Sequence, residues 1–132
     1  MKIISRFATL SIASLAMLVL IEGCSKDKED PIPTFTMSAD TTTFVGGGAA
    51  LQFFATCTNN GVTMSDVTIT TPQDSLYLYN FNNASYAQNV RIPLQESNKA
   101  YPKRIGTWRF RLVGTSSGGT SFISETTYAV SK

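Results

Sequence analysis

The sequence predicts an all-β fold made of one antiparallel β-sandwich, and three observations lead to this prediction. Beyond residue 33, Ser, Thr and Asn supply 33 of 99 residues and aromatic residues supply 13; Thr and aromatic side chains favour pleated strands. Short runs of alternating apolar and polar residues recur, whereas no stretch of a dozen residues has helical periodicity. Clusters of Gly, Asn, Pro and Asp separate these runs at regular spacing.

About seven runs are predicted as strands, because alternation of side-chain type dominates this part of the sequence. In the second run, Leu51, Phe53 and Ala55 share one parity. Pro93 lies on the outward parity of the fifth run, which predicts an edge strand or a bulge there. In chain order the runs cover residues 34–39, 51–58, 66–71, 76–79, 90–94, 106–113 and 122–130. Turns are predicted at 46–48, 59–61, 71–74, 80–85 and 115–121.

About seven strands in about 100 residues are typical of an immunoglobulin-like or fibronectin-III-like sandwich. The last 27 residues carry a Gly-x-Trp-x-Phe strand from Gly106, a turn with Gly118 and Gly119, and a final strand. This arrangement resembles the closing hairpin of bacterial immunoglobulin-like domains. The sequence has no Cys-Trp-Cys order, so the antibody-type disulfide is excluded. A β-barrel of similar strand count is the alternative architecture.

The N-terminus has the features of a secretory signal. Lys2 and Arg6 precede an uncharged apolar run at residues 7–21, which is shorter than the roughly 20 residues of a membrane span. The run ends in Ile21-Glu22-Gly23-Cys24. This segment resembles the lipobox of bacterial lipoproteins, although Glu22 departs from the small or aliphatic residue of that pattern. The alternatives are an ordinary signal peptide and an N-terminal anchor with an incidental Cys.

The resemblance implies that residues 1–23 are a signal peptide and that Cys24 becomes the lipidated N-terminus. Residues 24–33 form a charged tether, because five of the six residues 25–30 are charged, and residues 34–132 form the sandwich domain. The resemblance further implies an outer-membrane protein anchored through Cys24. The charged string also resembles the export signal of surface lipoproteins; a plain hydrophilic spacer is the alternative.

The composition excludes several kinds of site. The chain has no His, two Cys and a formal net charge of +2, which argues against most zinc sites, His-dependent catalysis and nucleic-acid binding. No cofactor and no metal are predicted. The five carboxylates of the domain are isolated in sequence, so no enzyme activity is predicted. Cys57 lies on the core parity of its strand and is interpreted as a small buried hydrophobe; a reactive thiol is the alternative.

Aromatic side chains form the first candidate site. Tyr77, Tyr79 and Phe81 share one parity of the fourth strand, beside Asn82. Were the intervening leucines buried, these rings would form an exposed stripe on which sugar rings stack while amide groups bind their hydroxyls. The opposite orientation buries the tyrosines and leaves no such stripe.

Basic side chains form the second candidate site. Lys103, Arg104, Arg109 and Arg111 lie within nine positions, and the last two share the outward face of their strand. We expect Glu125 to pair with one of these arginines across the final hairpin. The cluster indicates contact with anionic material at the envelope; a solvated rim is the alternative.

These observations predict a non-catalytic, membrane-anchored module that binds a glycan or a protein partner. This prediction rests on the predicted fold and the targeting sequence alone. The alternative is a structural or assembly component of a larger envelope complex, which packs by its strand edges and has no ligand site.

Overall fold

The structure is a computed structural model that describes residues 31–132. The predicted signal peptide, Cys24 and the charged string lie outside the described residues. Eight strands form two antiparallel sheets packed face to face, so the prediction of an all-β sandwich is confirmed. The strands are β1 (Phe35–Thr43), β2 (Ala49–Cys57), β3 (Val62–Thr70), β4 (Leu76–Tyr86), β5 (Arg91–Pro93), β6 (Tyr101–Pro102), β7 (Gly106–Ser116) and β8 (Ser121–Val130).

Each sheet has four strands, but the first is only three strands wide because β5 and β6 both pair with β2. The first has the order β1-β2-β5, with β6 also pairing with β2, and the second has the order β4-β3-β7-β8. Since Ile92 pairs with Ala55 and Tyr101 pairs with Leu51, β5 and β6 are two pieces of one edge strand. The alternation did not predict β6, because a two-residue strand is too short to alternate.

The core lies between the sheets and follows the predicted parities. Trp108 and Phe53 have no exposed surface, and Cys57 is 1% exposed, as predicted. The ring centroid of Phe53 lies 4.8 Å from that of Trp108, 5.0 Å from that of Phe110 and 6.0 Å from those of Tyr101 and Tyr128. Phe53 therefore joins β2 of the first sheet to β7 and β8 of the second.

A side chain completes the hydrogen bonding of β2 where the edge strand is broken. The Phe53 N–H donates to the buried Oε1 of Gln95 at 2.8 Å, and the Phe53 carbonyl accepts from the Leu94 N–H at 3.0 Å. The Tyr101 hydroxyl in turn donates to the Leu94 carbonyl at 2.6 Å. Residues 94–100 thus leave the ladder while the buried polar groups of β2 stay satisfied.

The turn predicted at residues 80–85 is wrong, because β4 continues through this segment. Asn80 pairs with Asp66 and Ala84 pairs with Met64, so three residues of β4 stand opposite one residue of β3. Asn82 and Asn83 have φ angles of 53° and 56°, and Asn tolerates this left-handed region better than most residues do. The asparagines that suggested a turn instead form a bulge within a long strand.

The folded unit makes contacts before residue 34. Pro33 is buried, and the Ile32 carbonyl accepts a hydrogen bond from Asn59 Nδ2 at 2.9 Å. The Oδ1 atom of the same side chain accepts from the Thr34 N–H at 3.0 Å and from the Cys57 thiol at 3.4 Å. Asn59 therefore joins the entry of the chain to the end of β2.

We predict that Gly114→Ala destabilises the domain by about 2 kcal/mol or more, because a Cβ atom would overlap the Thr63 carbonyl oxygen and lie 3.0 Å from the Phe122 ring. Gly48→Ala is the matched control, since its Cβ atom would meet only the Phe44 ring at 3.4 Å. Urea unfolding of both variants measures the difference. Equal stability of the two variants would contradict the close packing of β3 and β7 at Gly114.

We predict that Tyr101 makes stability fall at alkaline pH. Burial raises the pKa of its hydroxyl well above the usual value of 10.0, so the unfolded chain loses this proton at a lower pH than the folded chain does. The contribution of the neutral Tyr101 hydroxyl to the free energy of unfolding is complete below about pH 10. Above that pH it decreases by about 1.4 kcal/mol per pH unit. The free energy of unfolding of wild type should therefore fall relative to that of Tyr101→Phe by about 1.4 kcal/mol between pH 9 and pH 11. A constant difference would contradict the burial.

Candidate functional site

The outer face of the four-stranded sheet comprises the side chains of β3, β4, β7 and β8 that point away from the core. The strand registers place these side chains in rows across the sheet. One row contains Leu76, Thr70, Arg109 and Thr127, and the next contains Leu78, Thr68, Arg111 and Glu125. Each row runs from an exposed leucine on β4, through Thr and Arg, to a polar residue on β8.

A shallow groove of about 480 Å³ lies on this outer face. Both arginines of β7 border it, together with hydroxyl groups and one carboxylate. Its lining consists of Thr68, Thr70, Arg109, Phe110, Arg111, Glu125, Thr126 and Thr127. The groove therefore offers two guanidinium groups to an elongated ligand lying on the sheet.

The two arginines differ in their ion pairs. Arg109 donates from Nη2 to Asp74 Oδ1 at 2.6 Å, and both side chains are more than half exposed, so the pair contributes little stability. Glu125, the expected partner, lies opposite Arg111 in the register. Neither Arg111 nor Glu125 takes part in an ion pair with any residue in the range 31–132. Arg111 thus keeps its donors available.

The predicted basic cluster is divided in the structure. Lys103 and Arg104 lie in the connection between β6 and β7 rather than in the groove. Their backbone groups are structural: the Lys103 N–H donates to the Ala49 carbonyl at 3.0 Å, and the Arg104 carbonyl accepts from Trp108 Nε1 at 2.9 Å. The four basic residues share a stretch of sequence, but only Arg109 and Arg111 share a face.

The prediction of an exposed aromatic stripe is wrong, because β4 directs its leucines outward and its aromatic rings inward. Leu76 and Leu78 are 68% and 74% exposed, whereas Phe81 is 5% exposed and the two tyrosines are half-buried. Tyr77 pairs with Ile69 and Tyr79 with Val67, and both of these β3 residues are fully buried. Because paired residues point to the same face of a sheet, the tyrosines must point inward.

The inward rings pack on other aromatic side chains. The Tyr77 centroid lies 5.1 Å from that of Tyr101, and the Tyr79 centroid lies 4.8 Å from that of Phe81. Asn82 is exposed at the bulge, where its N–H donates to Asn80 Oδ1 at 2.8 Å. The structure therefore does not combine these four residues into an open platform for stacking.

A second group of polar contacts lies on the opposite side of the domain. Arg91 donates to both carboxylate oxygens of Asp40, at 2.8 and 3.0 Å, and its guanidinium lies 3.6 Å from the centroid of the Phe54 ring. Arg91 Nε also donates to Ser38 Oγ at 3.4 Å. The hydrogen bond from Arg91 lowers the pKa of Asp40. These contacts hold the short strand β5 to β1 across β2, and the sequence distance of 51 residues concealed them.

Within residues 31–132, no three acidic or thiol side chains come close enough together to share a metal ion. The same residues contain no helix with the length and hydrophobicity needed to cross a bilayer.

The chain was compared with protein-family models, with curated proteins and with solved structures. None of the three comparisons finds a match.

Proposed function

We propose that this chain is an outer-membrane lipoprotein anchored through Cys24. Its sandwich is a non-catalytic module that binds an anionic glycan on the outer face of the four-stranded sheet. The lipobox-like segment before Cys24 supports the anchor. The pair Arg109 and Arg111, exposed on one face of β7 in a groove of about 480 Å³, is the observation that carries the binding proposal. A sugar chain with carboxylate or sulfate groups is the ligand class that suits this pair.

The spacing of the arginines suits a repeating anion. Residues two apart on a strand point to the same face and lie about 7 Å from each other. Each guanidinium can bind a carboxylate or sulfate group through two parallel hydrogen bonds. Arg109 exchanges its exposed contact with Asp74 at little cost, and Arg111 has no ion pair to break within the described part of the chain.

The remaining lining suits a sugar. The hydroxyls of Thr68, Thr70 and Thr127 can both donate to and accept from ligand hydroxyl groups. Leu76 and Leu78 offer apolar surface at the border of the same rows for the C–H face of a ring. Because the groove is open to solvent, we expect modest affinity that falls as salt is raised.

A structural or assembly role is the second candidate function. The exposed Leu76 and Leu78 on β4 favour it, because two large apolar side chains side by side are typical of a protein contact. The two functions differ in their requirement for Arg111, since an apolar contact centred on β4 does not need a guanidinium on β7.

We predict that Arg111→Gln weakens binding of a sulfated polysaccharide by at least about tenfold, because a charge-assisted hydrogen bond contributes roughly 1.5–3 kcal/mol. Heparin is the probe, and calorimetry of the full chain in detergent at low salt is the measurement. Arg104→Gln is the matched control, since it removes the same charge from outside the groove.

Three results of this experiment would overturn the binding proposal. They are no binding of the wild-type chain at low salt, equal losses in the Arg111 and Arg104 variants, and equal affinity for a neutral polysaccharide. Protein crosslinks that depend on Leu78 but not on Arg111, together with no sugar binding, would select the assembly role.

We predict that Cys24→Ala abolishes incorporation of radiolabelled palmitate and leaves the chain at precursor size, because lipidation precedes cleavage in the pathway that the lipobox implies. Cys57→Ala is the control and should remain labelled and processed, since Cys57 is buried in the domain. Palmitate incorporation that persists in Cys24→Ala would refute the anchor.

A further inference from the structure

The edges of the two sheets differ in how they are protected against pairing with another chain. Exposed strand edges have unpaired N–H and C=O groups, and short strands, prolines and bulges prevent them from adding a further strand. β5 has three residues and ends in Pro93, β6 has two and ends in Pro102, and β4 is interrupted by its asparagine bulge. The edge formed by β5 and β6 and the edge formed by β4 are therefore protected.

β8 has none of these devices. It pairs with β7 without a register shift through ten consecutive residues, from Ser121 to Val130. It contains no Pro and no Lys, and Glu125 is its one charged residue. β1, an edge strand of the first sheet that also has no Pro, no Lys and no register shift, lies on the same flank, since the Phe35 and Phe122 ring centroids are 5.7 Å apart. Among the strands of residues 31–132, none pairs with the outer edge of β8, and this side of the sandwich has no device against strand addition.

The register identifies the backbone groups that face this open edge. The Ser116 N–H donates to the Thr120 carbonyl at 2.8 Å, so this pair is hydrogen-bonded. Hydrogen-bonded pairs alternate along an antiparallel ladder, which directs the backbone groups of Ser124, Thr126 and Tyr128 toward β7. The free N–H and C=O groups consequently belong to the alternate residues Ile123, Glu125, Thr127 and Ala129.

We propose that a second copy of this chain pairs with β8, antiparallel and about a two-fold axis at Thr126. A register centred on Glu125 would place two carboxylates directly opposite each other, which is unfavourable. The register centred on Thr126 pairs Glu125 with the second copy's Thr127 and Ile123 with the second copy's Ala129. In this register the free N–H and C=O groups of these four residues all form hydrogen bonds with the same four residues of the second copy.

This pairing extends the groove across the two copies, a consequence that rests on the proposed function. The row that ends in Arg111 and Glu125 continues into the second copy's Thr127 and the second copy's Arg109. Three strand spacings separate Arg111 from the second copy's Arg109, which is about 14 Å. The paired sheets present four guanidinium groups on one continuous face. An acidic polysaccharide would therefore bind both copies at once and gain affinity from the linkage.

Disulfide trapping tests the pairing and its register. In the proposed arrangement the two Thr126 residues form a non-hydrogen-bonded pair with Cα atoms about 4.5 Å apart, which a disulfide can span. Thr126→Cys in the full chain in detergent should give a dimer under mild oxidation. Ser124→Cys is the matched control, since Ser124 points to the same face as Thr126 and is also half-buried. In the proposed register the two Ser124 residues are offset by about four residues along the strands, which is too far for a disulfide. Wild type supplies the background from Cys24 and Cys57.

Two further variants separate this proposal from the proposed function. Thr127→Pro removes an N–H from the free edge without removing a β7–β8 hydrogen bond, so it should lower trapping of Thr126→Cys about tenfold while the domain still melts cooperatively. Arg111→Gln should leave trapping unchanged even if it abolishes polysaccharide binding. No dimer in Thr126→Cys, equal dimer in Ser124→Cys, or trapping that persists in a folded Thr127→Pro variant would overturn the pairing.

Discussion

The aromatic packing around Phe53 is the interaction on which the rest of the fold depends. Its ring contacts Trp108 and Phe110 of β7, Tyr128 of β8 and Tyr101 of β6, so one side chain of the first sheet meets both closing strands of the second. The backbone N–H and C=O groups of Phe53 are also hydrogen-bonded, because Gln95 and Leu94 take the positions of ladder partners. Because Trp108 and Phe110 are buried in this cluster, the alternate residues of β7 must point away from the core. Arg109 and Arg111 point outward for that reason.

Three arginines on strands illustrate how neighbouring groups decide what a charge does. Arg91 is held by a carboxylate through two hydrogen bonds and by the Phe54 ring, so its charge stabilises the attachment of β5. Arg109 makes a single exposed pair that solvent competes with. Arg111 faces Glu125 across the ladder without an ion pair between them. Composition alone cannot distinguish these cases, because all three residues lie on the outward parity of a strand.

The sequence could predict those parts of the fold in which one parity is clearly more apolar than the other. Alternation identified β2, β7 and β8 and the burial of Cys57 and Trp108. It could not orient β4, where leucines occupy one parity and aromatic rings the other, and where pairing with Ile69 and Val67 on β3 decides the direction. The bulge at Asn82 and the contact of Arg91 with Asp40 were also beyond its reach, since one depends on backbone register and the other on residues far apart in the chain.

The broken edge strand has a consequence for engineering the domain. Residues 96–99 are exposed and lie between two points of attachment, the pair Leu94 and Gln95 on one side and Tyr101 on the other. The Gln52 amide holds the carbonyl of Lys99, and no strand ladder passes through Ser97 or Asn98. The junction of these two residues is therefore a natural point at which to graft an epitope or a fluorescent reporter. Such an insertion lengthens a solvent-exposed connection, for which the added loop-closure entropy is small.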